Sequence, residues 1–167
     1  HCHLELSHLK GAIPKKTGLI DFIQHVIRYR DAEESQIRQA MADADREMYK
    51  NGIVAVGDHA NTAVSAEVKR NSPIHYHTFV EALAFEPELA EQKMTEATAV
   101  AEQFDRASVS ITPHAPYSVS KDLLRLVLDD ARRRKKPLSI HNQECEEENR
   151  FFRYKSGQFL DFYEQLG

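Results

Sequence analysis

Only two cysteines, Cys2 and Cys145, occur in the 167 residues, too few for a disulfide framework, so both thiols are expected to be reduced. No apolar run approaches the length of a membrane span, and no charged, apolar and small-residue series of the signal-peptide kind is present; the expected location is the cytoplasm. Positive charge is not in surplus. With 22 Lys and Arg against 26 Asp and Glu, the formal charge is −4, which removes the electrostatic case for nucleic acid or an anionic membrane and favours a small-molecule partner. Linkers, low-complexity stretches and short repeats are missing too, and a homodimer is the one macromolecular partnership left open.

What is there suits one globular core: 41% of residues are hydrophobic and 29% charged. The chain opens on His1 without a methionine and closes at Gly167 just after an amphipathic stretch. That predicts a single domain over 1–167 that is a piece of a longer one.

Apolar spacing divides the chain into alternating elements. Leu19, Ile20, Ile23, Val26 and Ile27 predict a first helix after a loop containing Gly11 and Pro14. Asp31 and Glu34 read as a capping pair for a second, in which Ile37, Met41, Ala44 and Met48 keep the 3.6-residue period until Asn51-Gly52. Ile53, Val54, Ala55 and Val56, closed by Gly57-Asp58, predict a strand buried on both faces. A weaker helix is expected over 61–70, an extended run over 74–85 and a long helix over 87–104. A strand over 108–112 follows, then a helix with Ser120 as its N-cap, stopped by Pro137. Leu138, Ser139, Ile140 and His141 read as another strand, and 144–166 as mainly helical. Strand and helix alternating throughout predicts an α/β fold of right-handed βαβ units with parallel strands. If His1 to His3 ends a preceding strand, the chain supplies about the first five strand-helix units of a TIM-type (βα)8 barrel and lacks the start of strand one and the last three units.

Residues two apart in a strand point to one side, so His1 and His3 can aim two imidazoles at one point while Cys2 faces the other way. Neutral imidazole is the common ligand for zinc and related divalent metals. Two surface or core histidines, or the remnant of a tag, are the competing readings. His141 closes a predicted strand, and strand ends converge over a barrel mouth, which makes it a third ligand. Glu144, three residues on, could exchange protons with a metal-activated water; alternatively it merely begins a solvated acidic run with Glu146, Glu147 and Glu148. His114, between Pro113 and Pro116, sits in a fixed loop suited to orienting substrate, or to satisfying itself inside a turn. Glu81 shares a strand face with His75, His77 and Phe79; a buried charge there needs a partner. His59, after Asp58, is placed at the same mouth.

Three stretches, His-Cys-His-Leu-Glu-Leu-Ser (1–7), Pro-His-Ala-Pro-Tyr-Ser-Val-Ser (113–120) and Ile-His-Asn-Gln-Glu (140–144), stand in this order at strand ends. Together they resemble the amidohydrolase superfamily, in its aminohydrolase branch of cytosine, S-adenosylhomocysteine and aminodeoxyfutalosine deaminases and chlorohydrolase-like proteins. The opening run looks most like the aminodeoxyfutalosine deaminase side. The resemblance implies His1, His3 and His141 as ligands of one divalent metal, with zinc first and iron or manganese as the other choices. It implies Glu144 as proton shuttle, His114 as a substrate contact, and hydrolytic deamination of a ring amine by metal-activated water. Asn142-Gln143 departs from the Leu-Ala common in relatives and leaves the substrate open. The family's sixth-strand histidine and eighth-strand aspartate lie beyond Gly167, so this polypeptide alone is expected to bind metal weakly and turn over nothing. A TatD-type nuclease also opens with such a strand but calls for basic groups at the mouth; a chlorohydrolase acting on a related ring and a non-enzymatic binding module complete the alternatives.

Overall fold

Short runs rich in β-branched and aromatic residues, each bounded by polar residues, build the sheet. The computed structural model describes residues 2–166, apart from the side chain of Leu166. Strands β1 (Ala55–Ala60), β2 (His75–Ala82) and β3 (Val109–Pro113) form one parallel sheet in the order β1-β2-β3, with Ala55 opposite His75 and Thr78 opposite Val109. Parallel neighbours need crossovers, and both are helical. Helix α3 (Ala66–Asn71) joins β1 to β2; a 3-10 turn, Pro87–Leu89, runs into α4 (Ala90–Ala101) between β2 and β3. Helices α1 (Leu19–Tyr29) and α2 (Glu34–Lys50) precede the sheet, and α5 (Lys121–Arg134), α6 (Glu146–Tyr154) and α7 (Gln158–Leu166) follow it. The α/β class and the parallel pairing are those expected from the alternation.

A single residue extends the β1 edge of the sheet. Cys2 pairs in parallel with Asp58: its N–H donates to the Gly57 carbonyl at 3.1 Å, and the His59 N–H donates to the Cys2 carbonyl at 2.8 Å. This is the strand end expected ahead of β1. At the other edge the expected strand over 138–141 is not formed. Pro137 has no N–H to give a ladder, and Ser139 instead bonds to a side chain: the Thr112 hydroxyl donates to the Ser139 carbonyl and accepts from the Ser139 N–H at 2.9 Å.

Other expectations shift for local reasons. The first strand begins at Ala55, leaving Val54 66% exposed, and runs on to Ala60 because Asp58, His59 and Ala60 are the residues that become buried. Asp31 does not cap α2; Glu33 holds the N-cap position without a side-chain bond, and Asp31 lies too far upstream. A 3-10 helix, Leu4–Leu9, occupies the start of the expected loop. Ser120 does cap α5, its Oγ accepting from the Leu123 N–H at 3.3 Å, but the helix ends before Pro137, at a left-handed Lys135.

The chain divides into two compact units. The first contains residues 2–8 and 33–140. On one face of its sheet Val80, Ala82 and Ile111 pack under Ala97 of α4 and Leu123 and Val127 of α5. A second cluster joins Leu4, Ile74 and Tyr76 to Met41 of α2. The second unit contains 9–32 and 141–166, with helices α1, α6 and α7. There the Phe151 ring lies 5.6 Å from Phe159 and 5.4 Å from Tyr163, and Gln24 Nε2 donates to Gln165 Oε1 at 3.1 Å to tie α1 to α7.

Candidate active site

The two-residue period of the strands sorts side chains by face. Val80, Ala82 and Ile111 go under the helices, so His77, Phe79 and Glu81 of β2 and Ser110 and Thr112 of β3 take the opposite face, beside Gly57 and His59 of β1. A Cβ on Gly57 would stand 3.2 Å from the Phe79 ring, which explains the glycine. His77 Nε2 lies 2.7 Å from Ser110 Oγ; burial first, then Lys136 and His75, push the His77 pKa down.

Toward the C-terminal end of this face the polar groups are connected. Glu81 accepts from His59 Nδ1 at 2.9 Å through one oxygen and from Asn61 Nδ2 at 3.0 Å through the other. Because a carboxylate supplies no proton, His59 carries its own on Nδ1. Its Nε2 lies 3.1 Å from Ser139 Oγ, and Ser139 is held in turn by Thr112. The expectation that a buried Glu81 needs a partner is met by His59, which does stand at this strand end.

The opening segment is anchored from both sides. Cys2 packs with the α2-side cluster while the His3 ring lies 5.4 Å from that of His59 on the other face, the alternation expected of a strand. The Leu4 N–H donates to Asp58 Oδ1 at 2.7 Å, and Asp58 Oδ2 pairs with Lys69 Nζ at 2.5 Å. Lys69 also donates to Thr78 Oγ1 at 2.9 Å and stands over the Phe104 ring at 4.7 Å. Burial lowers the Lys69 pKa, and Asp58 opposes this. Glu5 accepts from the N–H groups of Asn61 and Thr62 at 3.0 and 3.1 Å and from the Thr62 hydroxyl at 2.8 Å, fastening the turn after β1.

His114 forms a cluster of its own: Nδ1 lies 2.6 Å from Ser118 Oγ, which donates to the Ala115 carbonyl at 3.2 Å, and the Tyr117 ring stands edge-on at 5.8 Å. In the second unit His141 Nδ1 and Glu144 Oε1 are 4.0 Å apart. The turn between them puts Gln143 in the left-handed region, φ 57. The Glu144 N–H donates to Glu148 Oε2 at 2.8 Å, and Glu148 is 1% exposed, so the acidic run is not wholly the solvated helix start that was the alternative. His1 lies outside the described residues.

Within the first unit the ligand atoms of His3 and Glu81 come within 4.8 Å of each other, an imidazole and a carboxylate, which is a donor chemistry suited to zinc and its neighbours. A divalent metal therefore fits what is present. Asn61, Thr112, Ser139 and Glu5 were not singled out from the sequence. Thr112 carried the one usable signal, since it alternates with Ser110 onto the face opposite the apolar residues of β3.

The amidohydrolase family matches the chain over residues 1–167. An adenosine deaminase of Helicobacter pylori is 26% identical over 170 residues, covering 99% of this chain and 41% of the relative. Among solved structures, the aminofutalosine deaminase of Helicobacter pylori in complex with methylthio-coformycin aligns with a TM-score of 0.81 at 24% identity, over 99% of this chain and 41% of the other. An adenosine deaminase from Xanthomonas campestris with bound zinc aligns at 0.68 and 21%, over 100% and 40%. The chain thus spans about two fifths of the relatives it matches. These structural likenesses show the fold.

Proposed function

From the fact that the chain belongs to the amidohydrolase family, we propose that it forms part of a metal-dependent deaminase that hydrolyses an amine from a purine- or pyrimidine-type ring, with an aminodeoxyfutalosine-like compound the first to test. The observation that carries the reading is the buried His59–Glu81–Asn61 network beside His3 at a strand end, in a chain whose relatives include adenosine and aminofutalosine deaminases. His1, His3 and His141 are the proposed ligands, and zinc is the proposed metal. When bound, the metal supplies a water acidified to near neutrality. Glu144 would serve as the proton shuttle, taking a proton from water and giving one to the departing amine. His114, held beside Ser118, orients the ring, and Glu81 accepts from a substrate donor.

This face favours a ring amine over a phosphodiester. Among its described residues stand His59, His77, Phe79, Glu81, Ser110 and Thr112, with neither lysine nor arginine, whereas a nuclease needs fixed cations against phosphate. Cytoplasmic location belongs to the same proposal; among the described residues no helix is long and apolar enough to cross a membrane.

The activity is proposed for the whole catalytic domain, and the 167-residue chain by itself is expected to bind metal weakly and release no ammonia. Elemental analysis of the full-length protein beside its His1→Ala/His3→Ala variant, followed by an ammonia-release screen over aminopurines and aminopyrimidines, tests the reading. About one metal per chain, lost in the variant, together with ammonia release supports it; a metal-free wild type overturns it.

A further inference from the structure

The segment that leads into His141 is not held by a β-ladder. Ser139 attaches it to the sheet through two side chains, those of Thr112 and His59. The Thr112 hydroxyl both donates to the Ser139 carbonyl and accepts from the Ser139 N–H, standing in for the missing strand partner. Ser139 Oγ meets His59 Nε2 at 3.1 Å, and His59 is locked from behind by Glu81, itself bonded to Asn61. Thr112 is fully buried, and His59 is buried at 2% exposure, so neither position is adjusted by solvent. One network thus ties β1, β2 and β3 to a residue two positions before His141. Backbone that hangs on two side chains is easier to misplace than backbone in a ladder, and a metal site tolerates little misplacement of its ligands.

We propose that Thr112 and His59 are positioning residues for the metal site: by fixing Ser139 they fix the backbone that presents His141. The proposal rests on the reading of His141 as a metal ligand. It makes Thr112 and His59 responsible for metal affinity without assigning either to the metal.

The test is the zinc affinity of the full-length protein, measured by competition with a chromophoric chelator, with melting temperature and far-UV circular dichroism recorded alongside. Thr112→Val keeps the shape and removes both bonds to Ser139; its affinity is expected to fall at least ~10-fold, as when a metal ligand loses its supporting hydrogen bonds, while Thr112→Ser restores it to within about twofold of wild type. Ser139→Ala, which cuts only the link to His59, is expected to lose affinity in the same direction and serves if the valine variant does not fold. His141→Ala in the same assay separates the two ideas. Unchanged zinc affinity in His141→Ala overturns the ligand reading. A large loss in His141→Ala with unchanged affinity in folded Thr112→Val or Ser139→Ala overturns the positioning role, as does a Thr112→Val loss that serine does not rescue.

Discussion

His59 Nδ1 and Glu81 Oε1 lie 2.9 Å apart, with the two side chains 2% and 1% exposed. The pair joins the ends of adjacent strands at a depth where either group alone would be a liability, because a buried polar group without a partner bears its full desolvation cost. Glu81→Ala removes the acceptor for both His59 and Asn61, and is expected to destabilise the protein by about 3 kcal/mol. Glu81→Gln keeps one oxygen for His59, and Asn61 can turn its amide over to accept from the new NH2, so about 1 kcal/mol is expected. Urea unfolding of both variants checks the order; equal losses would show that the carboxyl contributes bulk rather than hydrogen bonds.

On the helix-covered face the ion pair of Asp58 and Lys69 sits under the Leu4 amide, with Asp58 fully buried and the Lys69 side chain 6% exposed. Lys69→Met should cost about 3–5 kcal/mol, since it abandons a carboxylate in the interior. Adding Asp58→Asn removes the charge while leaving Oδ1 to accept from Leu4, and should recover most of that loss. Chemical denaturation of the single and double variants measures the coupling. Additive losses would rule out a direct interaction between these side chains.

Much of this arrangement was legible in the sequence because it is periodic. The apolar spacing of 19–27 and 37–48 marks two helices, and the alternation along 75–82 puts Glu81 on a face away from Val80 and Ala82. The His-x-His alternation likewise separates Cys2 from His3. Partners distant in sequence were not legible: Glu81 was marked as needing a partner, but His59 is 22 residues away and nothing local pairs them. The edge at 138–141 was misread because its attachment is a threonine hydroxyl 27 residues upstream rather than a ladder. Glu148 was hidden for a different reason. Four glutamates within five residues look solvated, and only the fold buries one of them against the Glu144 amide.

Burial, and after it the Asp58 carboxylate, push the Cys2 thiol from its ordinary 9.0 up to about 12. In the unfolded chain the thiol loses its proton above about pH 9, while the folded protein retains it. The folded state then binds more protons, so the stability tied to this thiol is fully present below pH 9 and is lost as the pH rises toward 12. Between pH 9 and 11 the unfolding free energy of Cys2→Ser should therefore fall less steeply than that of wild type. At pH 8 the native protein should leave Cys2 unmodified by iodoacetamide, read by peptide mass spectrometry, because the thiolate is the reacting form. Alkylation of Cys2 at the rate of an open thiol would contradict both expectations.

The turn between α6 and α7 offers two substitutions of opposite sign. Gly157 has φ +99, and a Cβ there would stand 2.6 Å from Glu147 Oε2, the atom that accepts from the Gln158 N–H at 3.3 Å. Gly157→Ala therefore combines a strained backbone with a displaced carboxylate, and is expected to cost about 1–3 kcal/mol. Two residues earlier, Lys155 ends α6 in the left-handed region at φ 48, where a side chain is the burden and glycine the natural occupant. Lys155→Gly should stabilise by about 0.5–1 kcal/mol, the relief of the left-handed strain outweighing the added freedom of the unfolded chain. Thermal unfolding followed at 222 nm distinguishes the two. If both variants are destabilised alike, the left-handed turn at 155–157 is not the conformation that limits the stability of this helix pair.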